Sequence, residues 1–286
     1  MSAATEVPQS KPFLKWAGGK GQLLHELLPR AERAEPYKNY HEPFVGGGAL
    51  FHALTRNRQL LNRQAYLSDA NPRLIDIYLG VKEHVDEVID LLLEHKARHT
   101  EDAETYYYAV RAEQPEEPAA KAARLIYLNK TCFNGLFREN SRGEFNVPLG
   151  SYKNPAICDE RNLRESAAAL ADADIECRPF ETVLKRAKKG DFVYFDPPYH
   201  PVSETASFTG YHQGGFGEDD QRRLAEVVGK LDKKGVKVLL SNSDAPFIQE
   251  LYADYTVDIV QASRAVNSRA DRRGKVAEVL VRNFGD

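Results

Sequence analysis

Apolar positions along the chain fall into two rhythms. Short unbroken runs, such as Phe192-Val193-Tyr194-Phe195 and Val236-Lys237-Val238-Leu239-Leu240, read as strands buried on both faces. Similar runs predict strands from Tyr40, over 65–69 and 175–180, and near 255–261 and 276–283. Elsewhere the spacing is helical. Leu74, Ile75, Ile77, Tyr78, Val81, Val88, Ile89 and Leu92 keep it well past Glu87, starting cleanly from an Asn71 cap with Pro72 in the first turn. Further helices are predicted over 22–28 (ending at Pro29), through Leu54, over 121–128, 155–170, 181–187 and 219–231. Strand alternation is missing from 72 to 159. The pattern therefore predicts an α/β sheet domain, residues 1–71 and 160–286, interrupted by a mostly helical insertion over 72–159.

Composition narrows the class without changing that architecture. With 42% hydrophobic and 28% charged residues, the 286-residue chain can bury an ordinary globular core. The net charge of −3 means that any nucleic-acid contact must come from local patches. Cys132, Cys158 and Cys177 are three and widely spaced, which argues against a disulfide framework and a cysteine-rich zinc site. No stretch has the apolar length of a membrane span, and the first ten residues lack the apolar core of a signal peptide. A cytoplasmic enzyme without membrane contact and without a metal is the expectation.

The chemistry collects where strands stop. The run 192–195 ends at Asp196-Pro197-Pro198-Tyr199, and two prolines cannot continue a sheet ladder. The turn places a carboxylate, carbonyls without competing N–H groups and an aromatic ring at the carboxyl edge of the sheet, where open α/β sheets bind ligands. A planar amino group needs two acceptors and a stacking partner, and this tetrapeptide offers both. Upstream, Phe44-Val45-Gly46-Gly47-Gly48 forms a glycine loop between a strand and a helix. It is followed about twenty residues later by a strand ending in Asp69, where a ribose would be held. The only tryptophan, Trp16, lies between Lys15 and Lys20 beside a Gly18-Gly19 turn. Together these elements predict a nucleoside-containing cofactor.

Residues 129–155 mix asparagine, arginine, lysine and aromatic side chains with glycine turns. Arginine suits guanine edges, asparagine suits adenine edges, and aromatic rings stack on or wedge between bases. A polar loop over 203–217 carries Phe208, Tyr211 and His212, and a basic hairpin from 264 to 275 offers phosphate contacts. There is no Walker A lysine, no zinc-type His/Cys pairing near Asp196, and no cysteine after a proline. What remains suits transfer of a methyl group from S-adenosylmethionine to an exocyclic amine.

Motif order and spacing resemble the DNA adenine-N6 methyltransferases of the Dam type over nearly the whole chain. The resemblance is carried by 13–20 (Phe-Leu-Lys-Trp-Ala-Gly-Gly-Lys), 42–48, Leu128-Asn129-Lys130, Asn134-Gly135-Leu136, 143–148, Asp196-Pro197-Pro198-Tyr199, Ser241-Asn242 and Arg273-Gly274-Lys275. It implies a Rossmann-like methyltransferase sheet with an inserted DNA-recognition domain, acting on N6 of a flipped adenine in duplex DNA, within GATC or a related short palindrome. It implies Asp196, Pro197, Pro198 and Tyr199 as catalytic residues. Cofactor contacts would fall to Trp16, Lys20, Phe44, Gly46, Gly48, Asp69, Phe180 and Asp196. DNA contacts would fall to Lys15, Asn134, Asn140, Arg142, Arg269, Arg273 and Lys275. Glu139 departs from the pattern where some members carry a wedging aromatic, so Phe137 or another ring would have to take that task. The resemblance implies a monomer, and leaves open whether it works beside a cognate restriction endonuclease or alone.

Overall fold

The structure is a computed structural model that describes residues 7–202, 216–263 and 275–285. Arg269, Arg273 and most of the loop predicted over 203–217 lie outside the described residues. The chain divides into two compact units. The first comprises Met1–Gly19, Gly46–Leu61 and Asn71–Cys177, and the second Lys20–Val45, Asn62–Ala70 and Arg178–Asp286. The stretch read as an insertion, 72–159, falls within the first unit.

Seven strands are β1 Tyr40–Glu42, β2 Ala65–Asp69, β3 Asp174–Cys177, β4 Phe192–Phe195, β5 Lys237–Ser243, β6 Thr256–Ser263 and β7 Lys275–Arg282. Their order in the sheet is β3-β2-β1-β4-β5-β7-β6. β1 runs parallel to β2 and β4, β4 runs parallel to β5, and β7 enters antiparallel to both β5 and β6. The chain builds outward from β1, then returns to add β4 on its other side. That reversal opens a crevice at the carboxyl ends of β1 and β4, the usual ligand position in such a Rossmann-like sheet.

The strand interiors explain why these segments read as unbroken apolar runs. Val193 and Phe195 of β4, Val238 and Leu240 of β5, and Val279 and Val281 of β7 bury one face. Against it pack Leu224, Val227, Val228 and Leu231, spaced on one stripe of α9 (Glu218–Lys233). The alternate residues Phe192, Tyr194, Leu239, Ser241 and Leu280 face the other way and are equally buried. Toward the carboxyl edge this second face turns polar, through Ser241, Asp196 and Glu278.

In the first unit the predicted helical run splits at His84 into α3 (Pro72–Glu83) and α4 (Val85–Glu101). Asn71 Oδ1 caps α3 by accepting from the N–H groups of Arg73 and Leu74. α5 (Ala103–Ala112) buries Tyr107, and α6 (Pro118–Thr131) is buried on nearly every side, polar Arg124, Asn129 and Thr131 included. Gly80 lets α3 cross α6 closely, since a Cβ there would lie 2.4 Å from that of Ala122. Two boundaries differ from expectation. The first long helix, α1 (Leu24–Arg33), runs past Pro29, because fully buried Leu27 and Ala31 on either side outweigh one missing ladder bond. The helix predicted from 155 begins later, as α7 (Glu160–Leu170), where Asp159 caps the amide of Asn162.

Candidate active site

β4 ends at Phe195, and the Asp-Pro-Pro-Tyr turn beyond it is gripped from three sides within the second unit. Asn242 Oδ1 accepts the His200 amide at 3.1 Å, and the Ser243 hydroxyl donates to the His200 carbonyl at 2.6 Å. From α9, Gln221 donates to the Pro198 carbonyl at 2.9 Å and accepts from Asn242 Nδ2 at 3.0 Å. Gln221 stands one turn before Leu224 on the stripe that faces the sheet, so the helix that closes the core also fixes the turn. Among the described residues nothing donates to the Pro197 carbonyl.

Asp196 is held asymmetrically. Lys20 Nζ lies 2.8 Å from its Oδ1, and the Ser241 hydroxyl donates to the same oxygen at 2.8 Å. Ser241 is in turn 3.0 Å from the buried Tyr194 hydroxyl. Oδ2 has no partner among the described residues. Burial pushes the Asp196 carboxyl above the ordinary carboxylate range, and the Lys20 charge with the two hydrogen bonds pulls it back down. Lys20 Nζ also sits 4.5 Å from the Tyr199 ring centroid. The Tyr199 hydroxyl donates to Glu278 Oε2 at 2.7 Å, and burial, then the neighbouring Asp196 charge, raises its pKa well above that of a free phenol. The structure thus brings Lys20, Asp196 and Tyr199 together as one cluster. Gln221, Tyr194, Ser243 and Glu278 were missed from the sequence. For Gln221 and Glu278 the available signal was a polar residue standing alone in an apolar stripe or strand.

The aromatic residues expected at a cofactor also meet. Phe44 stacks on Phe180 with centroids 5.3 Å apart and planes 25° apart, and Phe216 stands edge-on to Phe44 at 5.7 Å. Asp69 closes β2, partly exposed, its carbonyl accepting from the Arg178 amide. In the first unit the glycine loop is moulded over Tyr78. That hydroxyl donates to the Gly46 carbonyl at 3.0 Å, and a Cβ on Gly48 (φ +64°) would lie 2.7 Å from it. A Cβ on Gly47 would lie 3.4 Å from that of Trp16. Gly48 is thus demanded by packing and by its left-handed backbone. Among the described residues no group of His, Cys, Asp or Glu is arranged to hold a metal ion.

The expected DNA contacts fall into two settings. Asn129, buried at the end of α6, clamps the amino-terminal loop. Its Oδ1 accepts the Lys15 amide at 2.8 Å, and its Nδ2 donates to the carbonyls of Lys15 at 2.7 Å and Gly135 at 3.1 Å. Lys15 itself is exposed, its ammonium 4.0 Å above the Tyr152 ring, and Asn134 sits exposed in a left-handed turn. Trp16 leans on Phe137 at 5.5 Å, and Phe137 on buried Phe145. The second setting is the hairpin tip. Asn140 is committed to its own turn: Oδ1 accepts from the amides of Arg142 and Glu144, and Nδ2 donates to Glu144 Oε2. Arg142 projects into solvent, its side chain 76% exposed, with Glu144 at 2.9 Å. Glu139 lies 3.5 Å from Arg73. Lys275 opens β7, opposite Ser263.

A Rossmann-like sheet with a glycine loop after its first strand and an Asp-Pro-Pro-Tyr turn after its fourth fits an S-adenosylmethionine-dependent methyltransferase. Comparison with known proteins makes the class specific. The profile of the D12 class N6 adenine-specific DNA methyltransferases matches residues 16–266. The chain is 40% identical to Type II methyltransferase M1.LlaDCHI of Lactococcus lactis subsp. cremoris, over 96% of each chain. It is 41% identical to Type II methyltransferase M.MjaIII of Methanocaldococcus jannaschii, over 96% of this chain and 99% of that one. It is 36% identical to the DNA adenine methylase of Escherichia coli (strain K12), over 96% and 95%. The chain belongs to the D12 class of adenine-N6 DNA methyltransferases, with DNA as its substrate and S-adenosylmethionine as its methyl donor.

Proposed function

We propose that the protein methylates adenine within a short palindrome of the GATC kind, and that it does so on a base turned out of the duplex. The observation that carries the reading is the half-occupied Asp196 carboxylate beside the unengaged Pro197 carbonyl. Asp196 Oδ2 and the Pro197 oxygen accept the two hydrogens of the adenine amino group, which directs the nitrogen lone pair away from the turn. Tyr199 stacks on the purine ring. An adenine inside a duplex cannot reach such a turn, so the base must leave the stack at a cost of a few kcal/mol, which these contacts offset.

The donor supplies a methyl group already activated on a sulfonium, so the protein's contribution is orientation and electrostatic placement. Phe44 and Phe180 offer a flat apolar face for its adenine ring, and Asp69 an acceptor for its ribose hydroxyls. Trp16, Gly46 and Gly48 provide close backbone approach. Lys20 holds Asp196 ionised and directed. Lys15, Asn134 and Arg142 contact the target bases. Asn140 serves by shaping the turn that presents Arg142. The basic segment with Arg269, Arg273 and Lys275 takes phosphates. The compartment is the one that holds DNA, the cytoplasm. Methylation-sensitive sequencing of DNA exposed to the protein tests the site assignment. N6-methyladenine confined to GATC or a near variant is expected, and methylation scattered without a shared motif would overturn the palindrome.

A further inference from the structure

Glu278 is an anomaly in its strand. β7 reads Lys-Val-Ala-Glu-Val-Leu-Val-Arg, and its apolar residues from Val279 to Val281 are buried. Glu278 sits opposite Ser243 of β5 and Val260 of β6, only 9% exposed, where a valine or leucine would pack without penalty. A buried carboxylate is costly unless paired or hydrogen-bonded. Among the described residues no lysine, arginine or histidine lies within ion-pair distance of it. Its one hydrogen bond there is the 2.7 Å bond it accepts from the Tyr199 hydroxyl.

The geometry points to Glu278 as a positioning residue for methyl transfer, holding the Tyr199 ring at the tilt in which it meets the target adenine. The inference rests on the reading of Tyr199 as the stacking platform. The backbone after Tyr199 is fixed through His200 by Asn242 and Ser243, but the ring can still rotate about its own side-chain torsions. A bond at the far end of the ring removes that freedom. Burial and the surrounding negative charges keep the hydroxyl protonated, so it remains a donor throughout the working pH range. Lys20 lies against the ring, and the bond to Glu278 holds the ring beside that ammonium.

The test compares Tyr199→Ala, Tyr199→Phe, Glu278→Gln and Glu278→Leu. It measures kcat and KM for DNA, together with the fluorescence of duplex carrying 2-aminopurine at the target position. Expected are near-complete loss for Tyr199→Ala and a fall of about tenfold in kcat, with little change in KM, for Tyr199→Phe. Glu278→Leu should match Tyr199→Phe, while Glu278→Gln, which keeps an acceptor oxygen, retains most activity. Combining Tyr199→Phe with Glu278→Leu should add no further loss. If Tyr199→Ala stays active, the stacking reading itself fails. If Tyr199→Ala is dead but Tyr199→Phe works at the native rate, stacking stands and the role of Glu278 is overturned. Additive losses in the double variant overturn it as well. The Tyr199→Phe arm keeps the test decisive even if Glu278→Leu does not fold.

Discussion

The acceptor turn and the recognition hairpin are built on opposite principles. At the turn, Ser241, Asn242 and Ser243 of β5 and Gln221 of α9 bond to Asp196, Pro198 and His200, and Asp196 is fixed by a lysine and a serine on a single oxygen. The hairpin between Cys132 and Leu149 is held by two isolated bridges, its own turn bonds, the Asn129 clamp and the bonds from Tyr107 and Arg111 to the Val147 carbonyl, while Arg142 and Ser141 at its tip are in solvent. On the proposed function, chemistry on an activated methyl needs a fixed amine, which suits the held turn, and base reading needs side chains that can meet a groove, which suits an exposed hairpin tip. Burial would then mark the catalytic residues, whereas the reading residues would look like ordinary surface.

The largest break in that contrast is Asp196→Ala. It should lower methylation by at least about a hundredfold while leaving binding of S-adenosylmethionine within about tenfold, measured by single-turnover kinetics and calorimetry. Substantial residual activity would remove the turn from the chemistry. A pH series sharpens the same point. Because burial raises the Asp196 pKa, the ionised form costs stability at neutral pH, and that cost is relieved as pH falls through the folded-state value. Activity, which needs the carboxylate, should fall over the same window, above the ordinary carboxylate range. Lys20→Gln removes a charge that favours ionisation and should move this acid limb of the rate profile to higher pH.

How much of this contrast was legible in the sequence follows from its physics. Asp196 could be read because a strand pattern and two prolines fix both its position and its surroundings within eight residues. The cofactor loop could be read because glycine is demanded locally. Gln221, Ser243 and Glu278 act on the turn from 23 or more positions away, and no local rule announces such a pairing. Pro29 misled for a related reason: the local penalty was visible, but the burial of Leu27 and Ala31 that overrides it is tertiary. Asn140 was legible as a polar hairpin residue, yet only the structure shows its amide spent on the backbone and the Glu144 carboxylate of its own turn.

Asn129→Ala tests whether the clamp is what holds the hairpin. The change orphans the Lys15 amide and the carbonyls of Lys15 and Gly135. It should cost about 2–4 kcal/mol in chemical denaturation. DNA affinity should fall along with stability, while a melting profile unchanged from the native protein would show that the hairpin is held by other means.

Arg142→Ala is expected to behave oppositely. The side chain is exposed and its pair with Glu144 lies in solvent, so stability should move by less than about 0.5 kcal/mol. Discrimination between the target and singly substituted sites should drop by about 1–3 kcal/mol, with weaker effect on random duplex. Equal losses on both would make Arg142 a phosphate contact.

The smallest effect is expected at Glu139, the position where the chain departs from the family pattern. Glu139 and Arg73 are both partly exposed, at 30% and 38%, and 3.5 Å apart. An ion pair so placed gains little over its hydrated parts, because water screens the attraction and two long side chains lose freedom. Glu139→Gln should therefore shift the melting midpoint by no more than about a degree or two. Methylation of the target should also be unchanged, since an acid cannot wedge between bases and nothing apolar is lost. A marked fall in activity with unchanged stability would show instead that this carboxylate takes part in reading DNA, and the hairpin tip would then be more tightly specified than its exposure implies.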